Sequence, residues 1–448
     1  MQKILNIIIL IFLLIQLASC EEEPVTVNEI KTVSSSNGQG QNSNQGGSNS
    51  NISWPEYSSN QLIIRYHPAV TQSGKAQLRN AYGVIAYEPC QVCFDGDIER
   101  WTFQRNIDIE PRKKAIENNQ NDPGGLGMPT PILDVNPEKS FDVASLKKST
   151  MIAPGSGDLA AHLSTSDTGT TVAILDTGID TNYTLFNDLS GSPSGFLYNP
   201  SPEEAVAGEV SGWDFVNEDN DPFDDELSKH GTAVSYILFK TARQFDIPIR
   251  ILPVKIADKY GKISYFHLLC AIKFAATRAD IINISAGWYD DNSHDNSIMA
   301  HLLAENPETL VVTSAGNLTF NNDRDDVLHL PSSFLHPNIV AVAAAKRNNS
   351  GVWRAASSFS NYGLTNVDFF APGKKIPFYN PDGTIADSIS GTSFAAPYVT
   401  AKAAEIIAIH DYPLTPEVVI SKMNETGIPV TFDIPTKYNK LILPPTFD

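Results

Sequence analysis

From about residue 151 onward, unbroken apolar segments alternate with helical patterns, and this alternation constrains the fold more than any other feature of the sequence. The apolar segments are short and rich in β-branched residues, as expected of strands that are buried on both faces. The segments are 171–175, 251–256, 281–284, 310–313 and 339–344, and helical patterns lie between them at 264–278 and 297–304. The pattern predicts an α/β fold: a three-layer, doubly wound, mainly parallel sheet with helices on both faces.

Three polar residues lie at the ends of these predicted elements. Asp176 follows the strand at 171–175, His230 begins a helical run, and Ser393 precedes the apolar helix at 394–407. Each has an ordinary structural explanation, as a turn residue, a helix-start residue and an N-cap. Together they supply a carboxylate, a base that titrates near neutrality and a hydroxyl, which nucleophilic catalysis requires.

The chain order Asp176, His230, Ser393 resembles that of the subtilisin-like serine proteases, or subtilases. Further segments resemble the family over roughly residues 155–425, and they are 251–255, 280–285, 314–317, 358–363 and 370–373. The resemblance implies a subtilisin-like fold and a serine endopeptidase that works through an acyl-enzyme and requires no cofactor for its chemistry. Ser393 is then the nucleophile, His230 the general base and Asp176 the group that orients the imidazole. Asn317 is the implied side-chain donor to the oxyanion, beside the Ser393 backbone N–H.

The resemblance also implies two backbone segments against which the family lays an extended peptide. In this sequence they are Ser285, Ala286 and Gly287 in one segment, and Ser314, Ala315 and Gly316 in the other. Backbone hydrogen bonds bind an extended peptide with little dependence on its side chains. A protein or peptide substrate follows, without a side-chain preference.

Three residues depart from the family pattern around these motifs. Tyr236 replaces a close-packing glycine, which predicts altered helix packing. Trp288 replaces a glycine after the first substrate segment and is expected to narrow or reshape the first specificity pocket. Lys229 precedes the histidine and would lower the pKa of the imidazole if it points into the cleft.

The N-terminus has the proportions of an export signal. Lys3 precedes the apolar run 4–15, which is short for a membrane span, and Cys20 ends a Leu-Ala-Ser-Cys that resembles the bacterial lipobox. The alternative is an ordinary secretory signal with an incidental cysteine. The lipobox predicts lipidation of Cys20 and an exported protein anchored by lipid to a bacterial membrane, the outer membrane or the cell surface.

A small block precedes the α/β region. Its β-α-β-β-α pattern predicts an α+β, ferredoxin-like unit. By position it resembles subtilase propeptides, which assist folding and inhibit their own enzyme, and the alternative is an adhesion or spacer module. The predicted division is a signal peptide at 1–19, a flexible tether at 20–58, the propeptide-like block at 59–120, a linker and processing zone at 121–150, the peptidase domain at 151–430 and a C-terminal tail at 431–448.

The cysteines, the acidic loop and the net charge limit which disulfides, metal sites and partners the sequence predicts. Cys90 and Cys93 form a Cys-x-x-Cys in an exported chain, which predicts a disulfide between them, with Cys270 as a buried thiol. Subtilases commonly bind structural calcium, but the acidic loop 219–225 matches no known calcium loop, so no metal ligand is predicted. The formal net charge of −19 argues against a nucleic-acid partner.

The sequence therefore predicts an exported, lipid-anchored serine endopeptidase that is made as a precursor inhibited by its own N-terminal block. One alternative is a subtilase-fold lipoprotein of low or no activity that acts as a peptide-binding module. Another is a maturation protease that cuts one dedicated partner.

Overall fold

The computed structural model describes residues 52–443, apart from 93–95, 106–107, 119–129, 144–157, 167, 189, 207 and 411–412. The predicted signal peptide, the lipidation site Cys20 and most of the predicted tether lie outside the described residues. Within the described ranges, no helix combines the length and the apolar character needed to cross a membrane.

The N-terminal block is a four-stranded antiparallel sheet with two helices. Its elements are β1 (Glu56–Tyr66), α1 (Gln72–Tyr82), β2 (Ala86–Pro89), β3 (Ile98–Thr102), α2 (Ile109–Asn118) and β4 (Ile132–Asp142). The strand order β2-β3-β1-β4 is that of the predicted ferredoxin-like unit. A separate apolar core fills the block, with Leu62, Trp101 and Phe103 fully buried within it. The block can therefore fold around its own centre.

The last strand of the block corrects the predicted domain boundary. Residues 121–150 are predicted as a linker, but β4 occupies 132–142 and completes the sheet. The sequence does not show the apolar pattern of a buried strand here, because Asn136, Glu138 and Lys139 are polar and yet buried. These side chains contact the second domain, so only the folded interface explains their burial.

The second domain contains the alternating elements that the sequence predicts. Its strands are β5 (Thr170–Asp176), β6 (Trp213–Asp214), β7 (Ile249–Lys255), β8 (Lys262–Ser264), β9 (Ile281–Ile284), β10 (Trp288–Asp290), β11 (Leu310–Ser314), β12 (Leu328–Leu330), β13 (Ile339–Arg347), β14 (Trp353–Ala355), β15 (Phe369–Pro372), β16 (Lys374–Tyr379), β17 (Ile385–Ser390), β18 (Ile428–Pro429) and β19 (Lys440–Leu441). Its helices are α3 (His230–Gln244), α4 (Tyr265–Ala276), α5 (Ser297–Glu305), α6 (Ala396–Ala408) and α7 (Pro416–Thr426).

The main sheet has the order β18-β19-β15-β13-β11-β9-β5-β7-β6, with β14 paired to β13. Its neighbours are parallel except for β13 with β14 and β18 with β19. Helices α3 and α6 pack in one apolar cluster, and α4 and α5 pack in another on the second face. This is the predicted three-layer, doubly wound fold, and its strand order reverses between β5 and β9.

The C-terminal segment is also part of this sheet. Residues 431–448 are predicted as a tail, but β19 pairs in parallel with β15 through Leu441 and Phe370. Leu441 and Ile442 are buried. The predicted domain end at residue 430 is therefore too early, because a two-residue strand gives no periodic signal of its own.

The block and the second domain share hydrogen bonds and one disulfide. Strand β4 pairs antiparallel with β8, where Ser140 faces Ser264 and Phe141 faces Ile263. Cys90 is bonded to Cys270 on α4, with their Cα atoms 5.6 Å apart.

The predicted pairing of Cys90 with Cys93 and the predicted free thiol at Cys270 are therefore not what the structure shows. Cys93 itself lies outside the described residues. The two bonded cysteines are 180 residues apart in sequence. Local spacing could not reveal a contact that the docked block creates.

Candidate active site

The three predicted catalytic residues lie where the winding of the sheet changes direction. Asp176 is the last residue of β5, and Ser285 directly follows β9, the neighbouring strand. His230 is the first residue of α3. Ser393 lies in the 3₁₀ turn Thr392–Phe394, just before α6. Open α/β sheets bind ligands at this edge, where the carboxyl ends of adjacent strands diverge.

Asp176 and His230 form a buried pair. His230 Nδ1 lies 2.7 Å from Asp176 Oδ1, and both side chains are 0% exposed. The same carboxylate oxygen accepts the Thr177 backbone N–H at 2.8 Å. Because a carboxylate only accepts, Nδ1 is the donor and Nε2 is left as the acceptor of the neutral ring. His230 Nε2 is buried and has no hydrogen-bond partner among the described residues.

The surroundings favour a proton on His230. Burial lowers the pKa of His230, but the charge and hydrogen bond of Asp176, with the charges of Glu226 and Asp224, raise that pKa above its ordinary value. In this environment His230 is a stronger base than a free imidazole.

The condition under which Lys229 would lower this pKa, that it points into the cleft, is not met, because its ammonium is bound by other groups. Lys229 Nζ lies 3.0 Å from Asp180 Oδ2 and donates to the Asp224 carbonyl. Its φ of 54° places the residue in the left-handed region directly before α3. The lysine therefore belongs to a buried acidic environment beside the helix start.

The carboxylates of the acidic loop 219–225 serve this helix start and a neighbouring strand. Asp224 accepts the backbone N–H and the hydroxyl of Thr232, at 2.9 and 2.6 Å, and so caps α3. Asp225 pairs with Lys255 at the end of β7. Burial raises the pKa of Asp224 to about 6. With these partners the loop does not fit a calcium site.

The amide of Asn317 is fixed through its oxygen to the residue before Ser393. Its Oδ1 accepts both the backbone N–H and the hydroxyl of Thr392, at 2.9 and 3.0 Å. The opposite end of the amide, Nδ2, would lie 3.6 Å from a Cβ at Gly391, two residues before Ser393. The structure therefore holds the Asn317 amide next to the turn that carries Ser393.

The turn that carries Ser393 packs directly on the base. The Phe394 ring centroid lies 5.2 Å from that of His230. The described hydrogen bonds include no bond from Ser393 Oγ to His230 Nε2, so the second of the two links in the predicted triad is not formed. Such bonds are often long in an enzyme without substrate and tighten in the complex.

The first predicted substrate segment reaches the nucleophile through Ser285. Its hydroxyl donates to the Ser393 carbonyl at 2.9 Å and accepts from Asn283 Nδ2, also at 2.9 Å. Asn283 Oδ1 in turn accepts the Thr400 hydroxyl of α6 at 3.0 Å. The Ser285 side chain thus helps to position the Ser393 turn, and sequence reasoning had assigned it only to peptide binding.

In the second segment, Ala315 lies in the core, where its N–H donates to the Val342 carbonyl at 3.0 Å. Ser314 ends β11 and is buried.

The two glycines of these segments face His329, a histidine that no sequence motif marks as part of the site. A Cβ at Gly287 would stand 2.7 Å from His329 Cε1, and one at Gly316 would stand 2.8 Å from His329 Cδ2. Burial lowers the pKa of His329 to about 3, and its Nδ1 bonds Ser332 Oγ at 2.8 Å. A neutral imidazole therefore lies between the two predicted substrate segments.

The sequence predicts that Trp288 narrows or reshapes the first specificity pocket, but its side chain packs elsewhere. Its ring contacts Phe141 of β4 at 4.7 Å between centroids, and Tyr265 at 5.4 Å. It belongs to the interface with the N-terminal block.

One further group of side chains has the spacing of metal ligands: Asp290, Asp291 and His294. Asp290 already accepts the Tyr57 hydroxyl at 3.2 Å and lies 3.9 Å from Lys139 Nζ. A site that combines an imidazole with a carboxylate so occupied does not fit calcium, which prefers oxygen ligands.

Comparison with known proteins identifies the family. The subtilase family profile matches residues 167–433, more than half of the chain. Thermitase of Thermoactinomyces vulgaris is 31% identical over 254 residues, which cover 55% of this chain and 76% of thermitase. A thermophilic serine proteinase of Bacillus sp. strain AK1 is 31% identical over 255 residues, 55% of this chain and 54% of that protein.

The chain spans about half the length of the Bacillus sp. proteinase. A cell wall-associated protease of Bacillus subtilis strain 168 is 28% identical over 246 residues, which cover 53% of this chain and 24% of that protease. In fold, the crystal structure of the epidermin leader peptide processing serine protease of Staphylococcus aureus matches 87% of this chain and 97% of its own, with a TM-score of 0.52 at 17% identity. The chain therefore belongs to the subtilase family of subtilisin-like serine proteases.

Proposed function

We propose that this protein is an exported, lipid-anchored serine endopeptidase that is made as a precursor inhibited by its N-terminal block. The observation that carries the catalytic part is the buried Asp176–His230 pair. The imidazole of His230 packs on Phe394 in the turn that holds Ser393, and its Nε2 has no hydrogen-bond partner among the described residues. Membership of the subtilase family supports peptide or protein substrates.

Each group has a defined role in peptide hydrolysis. His230 Nε2 takes the Ser393 proton as Oγ attacks the carbonyl carbon, and Asp176 stabilises the imidazolium that forms. Asn317 Nδ2 and the Ser393 N–H donate to the oxyanion. The imidazolium returns its proton to the leaving amine, and water then hydrolyses the acyl-enzyme by the same steps in reverse order. The peptide lies along the 285–287 and 314–316 segments.

The docked N-terminal block supports the inhibitory role. Strand β4 runs beside β8, and the Val143 N–H continues the pairing by donating to the Gly261 carbonyl at 2.7 Å. Two side chains of β4 bind helix starts of the peptidase domain. Glu138 accepts the Phe266 N–H of α4 at 3.1 Å, and Asn136 accepts the Ile298 N–H of α5 at 3.0 Å. A block held this way is built for this domain, which argues against a general spacer.

Export and anchoring rest on the sequence and on redox chemistry. The apolar run 4–15 followed by Cys20 supports a lipoprotein signal. The Cys90–Cys270 disulfide supports assembly in an oxidising compartment outside the cytoplasm. Together they support a bacterial lipoprotein at the outer membrane or cell surface.

A fluorophosphonate probe tests the catalytic proposal. We expect covalent labelling of the wild-type protein and none of Ser393→Ala, because only an activated serine attacks the probe. Ser388→Ala, which removes an exposed hydroxyl in β17, is the matched control and should label like wild type. Equal labelling of wild type and Ser393→Ala contradicts the proposal. So does the absence of labelling in a folded wild type from which the block has been released by self-cleavage and reduction.

Two measurements test the precursor and the anchor. On a reducing gel, wild type should separate into two fragments while Ser393→Ala remains full length. A full-length, active wild type would show that the block is a permanent domain. Radiolabelled palmitate should enter wild type and not Cys20→Ala, and equal incorporation would refute lipidation.

A further inference from the structure

A cavity outside the catalytic edge of the sheet is lined by charged side chains that have no role in peptide hydrolysis. Its volume is about 980 Å³, and it lies between α3, the turn after β13, the β16–β17 hairpin and the start of α6. Five cationic side chains line it: Lys240, Lys346, Arg347, Lys374 and Lys375. The described residues lining this cavity include no aspartate or glutamate.

This concentration of positive charge is unusual for the molecule. The chain carries 32 Lys and Arg against 51 Asp and Glu. Among the described ion pairs, none involves Lys240, Lys346, Lys374 or Lys375. Lys374 Nζ donates instead to the Ser358 hydroxyl at 3.0 Å. Burial and the charges of Lys346 and Lys375 lower the pKa of Lys374, as expected of like charges held together.

The backbone of β16 is shaped to bring two of these lysines together. Consecutive residues of a regular strand point to opposite faces, yet Lys374 and Lys375 both line the cavity. The pairing register shifts between Lys374 and Ile376, and Lys375 has a φ of 58°. This bulge, at a non-glycine residue in the left-handed region, re-aims the side chain toward the cavity.

Aromatic side chains form the remaining walls. Tyr236, which replaces the glycine usual in the family motif, packs edge-on against Tyr379 with centroids 5.2 Å apart. Lys240 Nζ donates to the Tyr379 hydroxyl at 3.3 Å. Trp353 and Tyr398 also line the space. Aromatic side chains and arginine are enriched at protein recognition surfaces, and the lysines add the positive charge.

The cavity lies within reach of a peptide in the catalytic cleft. Lys374 is the cross-strand partner of Ser390, and the Lys375 N–H donates to Ser390 Oγ at 3.1 Å. Ser390 precedes Ser393 by three residues, so the cavity edge lies at most about 16 Å from the nucleophile. An extended peptide covers this distance with about five residues.

We propose that this basic cavity is an exosite that binds an acidic segment of a peptide or protein substrate, about five or more residues from the scissile bond. The proposal rests on the proposed peptidase function, because the same chain must occupy both places. Carboxylate side chains supply the charge that the lysines lack, and their methylene groups pack on the tyrosines.

Binding is tested first without turnover, on full-length Ser393→Ala protein. A fluorescein-labelled peptide of twelve glutamates is compared with one of twelve glutamines by fluorescence anisotropy at low ionic strength. We expect Kd at least tenfold lower for the glutamate peptide, and loss of this preference in 0.5 M NaCl, since salt screens these charges. Equal Kd values for the two peptides overturn the proposal.

Variants locate the binding. Lys240 and Lys375 are exposed, so Lys240→Glu with Lys375→Glu should leave folding intact, which a thermal melt checks. This pair should abolish the preference for glutamate. Lys114→Glu with Lys259→Glu makes the same charge change at exposed sites outside the cavity and should retain it. A preference that survives the cavity variant, or binding of dextran sulfate at the cavity without any preference for glutamate, rejects the acidic-peptide assignment.

A turnover experiment separates this proposal from the catalytic one. Wild type that has cut its own linker and has been reduced to release the block is given fluorogenic peptides that share one cleavage sequence. Each peptide carries a four-residue tract, of glutamate or glutamine, five residues before or after the scissile bond. We expect one glutamate placement to raise kcat/KM at least fivefold through a lower KM. Cleavage of every peptide at the same rate overturns the exosite alone. Cavity binding without any cleavage overturns the peptidase and leaves only an anion-binding cavity.

Discussion

Removal of the Asn136 side chain should destabilise the whole molecule, although Asn136 belongs to the N-terminal block. Helix α5 begins at Ser297, and its own N-cap residue, Asn296, makes no side-chain capping bond. Asn136 is fully buried, accepts the Ile298 N–H at 3.0 Å and donates to Ser297 Oγ at 3.1 Å. The cap of this helix is therefore supplied by another domain.

The size of the effect follows from that bond. Replacing a capping side chain by alanine costs about 0.5–2 kcal/mol, and leaving a buried N–H unpaired costs about 1–3 kcal/mol. These two ranges describe the same lost interaction, so we expect the free energy of unfolding to fall by about 2 kcal/mol, or about 30-fold in the unfolding equilibrium.

Urea unfolding of Ser393→Ala and of Ser393→Ala with Asn136→Ala measures this difference on an uncut chain. Asn80→Ala, an exposed position on α1, is the control and should change the free energy of unfolding by less than about 0.5 kcal/mol. Asn136→Asp keeps the acceptor oxygen and should lose less than alanine does. If Asn136→Ala behaves like Asn80→Ala, α5 does not depend on the block for its cap.

Three further predictions concern the site and the disulfide. Only neutral His230 accepts the Ser393 proton, so its raised pKa should place the midpoint of the rise of kcat/KM with pH above about 6.5. Asp176→Asn should move that midpoint down. A wild-type midpoint below 6 contradicts the described environment. Cys270→Ala in the Ser393→Ala background should lower the free energy of unfolding by as much as about 5 kcal/mol, since its bond closes a loop of 180 residues, and an unchanged urea midpoint would show that the bond is absent in solution. His329→Ala should enlarge the space between Gly287 and Gly316 and raise kcat/KM for peptides with a large residue before the scissile bond, whereas an unchanged preference places the pocket elsewhere.

The sequence was most informative where a feature is local. The main strands could be predicted because parallel strands covered on both faces are continuous apolar runs, and β5, β9 and β11 lie within two residues of their predicted bounds. The positions of Asp176 and His230 at element ends were predictable for the same reason. Their hydrogen bond was implied by the family resemblance, and the structure shows it.

Features that depend on docking between the two domains could not be predicted. Strand β4 lacks the apolar pattern of a buried strand, since Asn136, Glu138 and Lys139 are polar. They are buried because they bond to partners 126 to 162 residues away in the other domain. The Cys90–Cys270 bond and the position of Trp288 arise from the same interface. His329 carries no sequence signal, since its role comes from two glycines on other segments that leave room for its ring.

The disulfide changes what a cut in the chain would mean. If the precursor is cleaved between Val143 and Asp158, the two pieces remain one molecule through Cys90 and Cys270. After the cut, the block rebinds the peptidase domain at an effective concentration set by the disulfide. Diluting the enzyme therefore does not release the block. Activity would be gained only when the disulfide is reduced or the block is itself digested. The supply of thiols or of a second protease would therefore determine when the enzyme becomes active.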